Sequence, residues 1–167
     1  MDRDYFSGRE EELEEFKSFI HGKRKYRVLF IHGAGGIGKT WLLRKMMEIA
    51  PNEKIPDLLA VNELIDMYST ANHSVDGVRD RLIVLLENTL GRKAFDGYRR
   101  SQRELETGIR DHFREETLSS MRQSIQKAFF EDCREFSKNK KVVVCFDTFE
   151  RVQRDQVGSW VLVELLR

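Results

Sequence analysis

Val28-Leu29-Phe30-Ile31-His32-Gly33-Ala34-Gly35-Gly36-Ile37-Gly38-Lys39-Thr40 joins an apolar run, a glycine-rich turn and a Lys-Thr pair. The run Val28–Ile31 is short and partly β-branched, which predicts a buried strand. Gly33 to Thr40 fills the pattern Gly-x4-Gly-Lys-Ser/Thr. Each part has a physical role. Gly33, Gly35, Gly36 and Gly38 allow unusual backbone angles and close approach of main chain to ligand. Successive N–H groups then face one anion-binding concavity, and the next helix adds the positive end of its dipole. Lys39 is placed for the β- and γ-phosphates, and the Thr40 hydroxyl for Mg²⁺. Ile37 and Trp41 complete the loop and first-turn residues expected against the nucleotide. Gly33, Gly35 and Gly38 also satisfy the weaker Gly-x-Gly-x-x-Gly pattern of dinucleotide folds. That reading needs an acidic residue about 20 positions on, at a strand end. Glu53 falls in the linker between Pro51 and Pro56, and Lys39-Thr40 would have no role.

Outward from the loop, strands and helices alternate. A helix is predicted from Lys39 to Ala50. Leu58–Met67 reads as a second strand, with a helix as the alternative. Val78, Leu82, Leu85 and Leu86 share one face of a helix over Val75–Leu90, which Gly91 ends. Arg92–Glu116 is charge-rich, and its helical bounds are weakly marked. Leu118, Met121, Ile125, Phe129 and Cys133 mark a longer helix, with Thr117 as its N-cap. Val142–Phe146 is the clearest strand, and Trp160–Leu166 forms or begins a last helix. Upstream, Ser7-Gly8-Arg9-Glu10 has capping-box spacing; Leu13, Phe16 and Ile20 repeat at helical intervals, and Gly22 is the stop. The pattern predicts an α/β chain, with a parallel sheet covered on both faces.

Val142-Val143-Val144-Cys145-Phe146-Asp147 is an apolar strand ending in an acid, as a Walker B element requires. Ligands of open α/β sheets bind at the carboxyl ends of strands. Asp147 is therefore the second expected Mg²⁺ residue, beside Thr40. Glu150 is the candidate base for an attacking water, set against a plain solvated or capping glutamate. Thr148 stands where many ATPases of this kind place an acid, which predicts slow hydrolysis.

Composition sets limits on other readings. A net charge of +1 gives no electrostatic case for nucleic acid or an anionic membrane as the main partner. Arg99, Arg100, Arg103, Arg110 and Arg114 interleave with Glu104, Glu106, Asp111, Glu115 and Glu116, so they predict an ion-paired, solvated face. Cys133 and Cys145 lack metal-ligand spacing, and Cys145 is expected as a buried free thiol, which fits a reducing cytoplasm. His32 is expected to be packed or hydrogen-bonded rather than catalytic, and Phe129-Phe130 to be core or a contact with further domains rather than a ligand box. The acidic, polar start Met1–Asp4 is unlike a signal peptide, and no apolar stretch suits a membrane span.

Together these segments resemble the STAND-type signalling NTPases, within the wider AAA+-like group. The resemblance rests on Phe6-Ser7-Gly8-Arg9-Glu10, the Gly-Gly-Ile-Gly-Lys-Thr loop and Phe146-Asp147-Thr148-Phe149-Glu150. It implies a three-layer P-loop fold, with ATP and Mg²⁺ as ligands and Tyr5, Phe6 and Arg9 lining the base pocket. It also implies a sensor strand and helical lid that the sequence to Arg167 does not contain. Residues 1–167 are therefore expected to be the N-terminal portion of a nucleotide-binding domain, with further domains or self-association as partners. Asn139-Lys140-Lys141-Val142 opens like the guanine-reading Asn-Lys-x-Asp but lacks the Asp and precedes the Walker B strand, so ATP or ADP is favoured over GTP. The implied role is an ATP-dependent conformational switch. The alternatives are a DNA-associated AAA+ ATPase of the origin-recognition kind and a small-molecule P-loop kinase.

Overall fold

The structure is a computed structural model and describes residues 8–23 and 27–166. Tyr5, Phe6 and the expected N-cap Ser7 lie outside the described residues. Helices α1 (Glu10–Ile20) and α2 (Lys39–Ile49) precede a first pair of short strands, α3 (Val75–Leu90), α4 (Asp96–Arg110) and α5 (Glu115–Ser137) lie between that pair and a second, and α6 (Gln156–Ser159) follows. The strands are β1 (Leu58–Ala60), β2 (Ile65–Asp66), β3 (Lys141–Val143) and β4 (Phe146–Asp147). Two compact units emerge, Met1–Val78 with Val142–Arg167, and Arg79–Lys141.

In the first unit, β1 pairs with β3, and β2 pairs with β4 in parallel, Ile65 opposite Phe146 and Asp66 opposite Asp147. Val61 N–H donates to Val143 O, Ile65 N–H to Cys145 O and Met67 N–H to Asp147 O, so the pairing runs on past the strand ends. Within residues 58–67 the expected strand is present only as two short strands, separated by a bend at Asn62 and Glu63. Residues 141–147 likewise hold two short strands. Val61, Ile65 and Met67 alternate inward and are almost wholly buried. One core cluster of this unit joins Phe16 and Ile20 of α1, Leu42 and Met46 of α2, and Ala50, with Leu58 and Ala60 of β1 and Val143 of β3 packed against it. Each fully buried large apolar side chain of this kind contributes roughly 1.5–3 kcal/mol.

The predicted strand Val28–Ile31 is a correction. Leu29 and Ile31 pack against the α1–α2 core, but the segment is irregular and Phe30 is 54% exposed. Among the described residues no backbone hydrogen bond is made to Val28–His32. A strand is defined by its ladder, and an apolar run without one keeps its inward face but not its regular form. His32 is likewise exposed rather than packed.

Helix α1 stops at Ile20, and Gly22, at φ 75°, donates its N–H to Phe19 O. Helix α2 matches its prediction to within a residue, and a short turn of 3-10 helix over Ala50–Glu53 takes up Pro51. The last helix starts earlier than expected. Asp155 caps it through the N–H groups of Val157 and Gly158, and it widens to π-type over Trp160–Leu165.

The second unit is helical. Its buried residues on α3 include Leu82, Leu85 and Leu86, from the face predicted by spacing; Val78 of the same helix is also buried and counts with the first unit. In α4, Tyr98 and Gly108 are buried; in α5, Leu118, Ile125 and Phe129 are. Helix α5 begins at Glu115 after Arg114, so Thr117 lies inside it rather than capping it. Phe129 stacks on Phe95, with centroids 5.8 Å apart, and meets Tyr98 and Phe130 edge-on.

Candidate phosphate site

The loop turns through left-handed backbone where only glycine is comfortable. Gly36 has φ 80° and Gly38 φ 90°, the latter as the residue before α2. A side chain added at either would meet open space, so conformation and not crowding selects glycine there. The N-terminus of α2 has no side-chain cap and no acidic residue in its first turn. Its orphan N–H groups and dipole are therefore left to whatever anion approaches.

Lys39 starts α2 and folds back over the loop. Its Nζ donates to Gly33 O at 2.9 Å and Ala34 O at 3.1 Å. Thr40, next on the helix, donates its hydroxyl to Asp147 Oδ2 at 2.8 Å across 107 positions of sequence. The other oxygen of Asp147 accepts the Thr148 N–H at 3.0 Å. The two oxygens expected around one cation are thus adjacent, and both belong to hard, oxygen-type donors that suit Mg²⁺. Among the described residues no group of three His, Cys, Asp or Glu side chains could hold a metal ion. A cation here would need oxygens beyond those of Thr40 and Asp147.

Thr148 has φ 58°, a left-handed conformation that a β-branched residue rarely adopts. The chain turns sharply there into the helical turn Phe149–Arg151. Phe149 packs against Phe146 and Phe30, with centroids 5.9 and 6.3 Å apart, which ties the segment after β4 to the one before the loop. Arg151 stacks on Tyr68 at 4.7 Å. Glu150 is exposed. It borders a cleft of about 340 Å³ that Lys39, Asp147 and Thr148 also line. Cys145 lines the same cleft, and burial pushes its thiol up to about 11.

The expected nucleotide residues separate into groups. Gly33, Gly35, Gly36, Ile37, Gly38, Lys39 and Thr40 form the loop and helix start. Trp41 is half exposed with Arg44 over its ring at 5.7 Å. Arg9 borders a second cleft of about 550 Å³ with Phe30, Ile37 and Lys39. Sequence reasoning missed two features. One is the left-handed turn at Thr148. The other is the hydrogen bond from Arg9 Nη2 to Ile37 O at 3.0 Å, 28 positions away in sequence. The aromatic spacing Phe146-x-x-Phe149 was a visible sign of a turn packed on itself.

Among known proteins, the sequence model of one family, described as AAA ATPase domain, matches residues 5–166. No curated protein and no solved structure gives a significant match. Among the described residues no helix is long and apolar enough to cross a membrane.

Proposed function

The chain belongs to the AAA ATPase domain family, and from that premise we propose that it binds ATP with Mg²⁺ at the Gly33–Thr40 loop and uses it as a slow conformational switch of the STAND type. The observation that carries the reading is the contact of Thr40 Oγ1 with Asp147 Oδ2 at 2.8 Å. It puts the hydroxyl of the Walker A loop and the carboxylate of the Walker B strand in one place, although nothing local in the sequence requires it.

In this reading the loop N–H groups and the α2 dipole hold the phosphates. Lys39 leaves the carbonyls of Gly33 and Ala34 and turns its ammonium to the β- and γ-phosphates. Thr40 and Asp147 would hold Mg²⁺, which when bound offsets the charge of the phosphate oxygens. Glu150 orients and deprotonates water, and Thr148 can do no more than hydrogen-bond it. Tyr5, Phe6 and Arg9 are assigned to the base side, and Ile37 and Trp41 to the loop and first helical turn against the nucleotide. A three-layer arrangement is proposed for the domain, with the irregular segment Val28–Ile31 leading into the loop. Further domains or a second copy would read the nucleotide state.

Calorimetry with ATP and Mg²⁺ tests the reading. Lys39→Ala removes the loop's one side-chain cation and is expected to lower affinity by roughly 10–100-fold, the range for lost hydrogen bonds between charged groups. Equal affinity in the two proteins removes the assignment.

A further inference from the structure

Arg9 stands just before α1, and its guanidinium faces two acceptors at once. Nη1 meets Glu12 Oε1 at 2.5 Å, and Nη2 donates to the main-chain carbonyl of Ile37 at 3.0 Å. Glu12 is one turn on in α1, and the bond from Arg9 holds its carboxyl below the usual range. Ile37 lies between the left-handed Gly36 and Gly38, at the crown of the phosphate loop. A planar guanidinium with donors in fixed directions suits such a bridge, whereas an ammonium does not fix direction.

From this we propose that Arg9 is a positioning residue for the phosphate loop, a strut that ties its crown to α1. The inference rests on the phosphate-site reading and changes the role given to Arg9, from lining the base to shaping the loop. The physical need is clear. A loop of Gly33, Gly35, Gly36 and Gly38 has large backbone freedom, and ordering it costs entropy on binding. The loop's own anchors are Lys39 on the Gly33 and Ala34 carbonyls at one end and the start of α2 at the other. Ile37 O lies between them. A strut at that point reduces the conformations of the free loop and so lowers the ordering cost met by the phosphates. Through Glu12, the loop's shape is also linked to how α1 sits, which gives the N-terminal segment a grip on the nucleotide site.

The test uses the 167-residue chain and two ligands, MgATP and magnesium tripolyphosphate, the second with no base or sugar. Wild-type binding of both establishes the phosphate site; binding of neither overturns that reading and the strut with it. In Arg9→Ala, a strut predicts a loss of roughly 3–10-fold for both ligands, the scale of one ordinary net hydrogen bond. Amide hydrogen exchange of Gly35–Gly38 in the ligand-free chain should rise as well, and Arg9→Lys should recover only part of either effect. A loss for MgATP alone, with tripolyphosphate unchanged, places Arg9 at the base and overturns the strut. So does unchanged exchange in the loop.

Discussion

Asp147 has both carboxylate oxygens engaged, one by the Thr40 hydroxyl and one by the Thr148 N–H. Its aim is therefore set before any ligand arrives, from two sides of the site. If both Thr40 and Asp147 serve one Mg²⁺, their effects on binding are coupled. Thr40→Ala and Asp147→Asn should each lower Mg²⁺-dependent ATP affinity, and the double variant should lose less than the sum, with a coupling of about 0.5–3 kcal/mol. Titrations repeated with a chelator separate the metal from the direct hydrogen bond, because the coupling in affinity should vanish there. Clean additivity with Mg²⁺ present would place Asp147 outside the metal site. At this scale the sequence was informative wherever the chemistry is local. Gly36 and Gly38 adopt the backbone their pattern demands, and Cys145 is the buried free thiol expected from its apolar run. It was silent on Thr148, since nothing in the side chain announces a left-handed φ. It was silent also on the target of Arg9, because a carbonyl acceptor has no residue type to recognise.

Periodicity fixed α3 to the residue, because sixteen positions with Val78, Leu82, Leu85 and Leu86 on one face leave little freedom. Helix α4 was harder. Its charged residues are solvated, so the signal reduces to a few inward positions such as Tyr98 and Gly108. The run Val28–Ile31 failed as a strand for the opposite reason, because strand form depends on a partner that the run itself cannot specify. Tyr98 also carries an element-level prediction. It is 2% exposed, and its hydroxyl donates to Asp80 Oδ1 at 2.8 Å. It also accepts from Gln102 Nε2 at 2.8 Å and from Arg79 Nε at 3.2 Å. One phenol thus joins the start of α3 to α4. Burial, and then the bond to Asp80, push its pKa up to about 12. A group whose pKa is raised by folding stabilises the fold below its unfolded value and loses that contribution as pH rises. The helical unit should therefore weaken between about pH 10, the unfolded value, and about pH 12. Tyr98→Phe should cost roughly 1–3 kcal/mol at neutral pH by leaving its partners short of a hydrogen bond. It should also flatten the alkaline loss. Thermal melts of both proteins across that range check the pair of outcomes, and an equally steep alkaline loss in the variant would exclude Tyr98 as its source.

For the molecule as a whole, family-like patterns and physical spacing pointed to Lys39, Thr40 and Asp147 as the candidate site, and the fold brings Thr40 and Asp147 into contact. In the proposed reaction, catalysis would depend on the residues just after Asp147. Hydrolysis needs a water polarised in line with the terminal phosphate, and a group able to take its proton. The residue directly after Asp147 is Thr148, whose hydroxyl does not accept a proton readily at neutral pH. Its left-handed turn directs the chain into Phe149–Arg151, so Glu150 is carried on a short turn and not on the strand end itself. That turn is held by Phe149 against Phe146 and Phe30, which keeps Glu150 at the edge of the cleft that Lys39 and Asp147 share. An exposed carboxylate on a turn is a poorer base than one fixed at a strand end, because it must give up solvent and side-chain freedom to act. Turnover is therefore expected to be slow beside ATP binding, as a switch requires. Glu150→Gln should lower single-turnover hydrolysis by about 10²–10⁴-fold, the range for lost general-base help, and leave MgATP affinity near that of the wild type. Thr148→Glu supplies an acid at the strand end and should raise turnover if the position, rather than the rest of the site, sets the slow rate. A wild type that hydrolyses ATP fast and tolerates Glu150→Gln would contradict both the base assigned to Glu150 and the switch, since a site that empties quickly cannot hold a state for another domain to read.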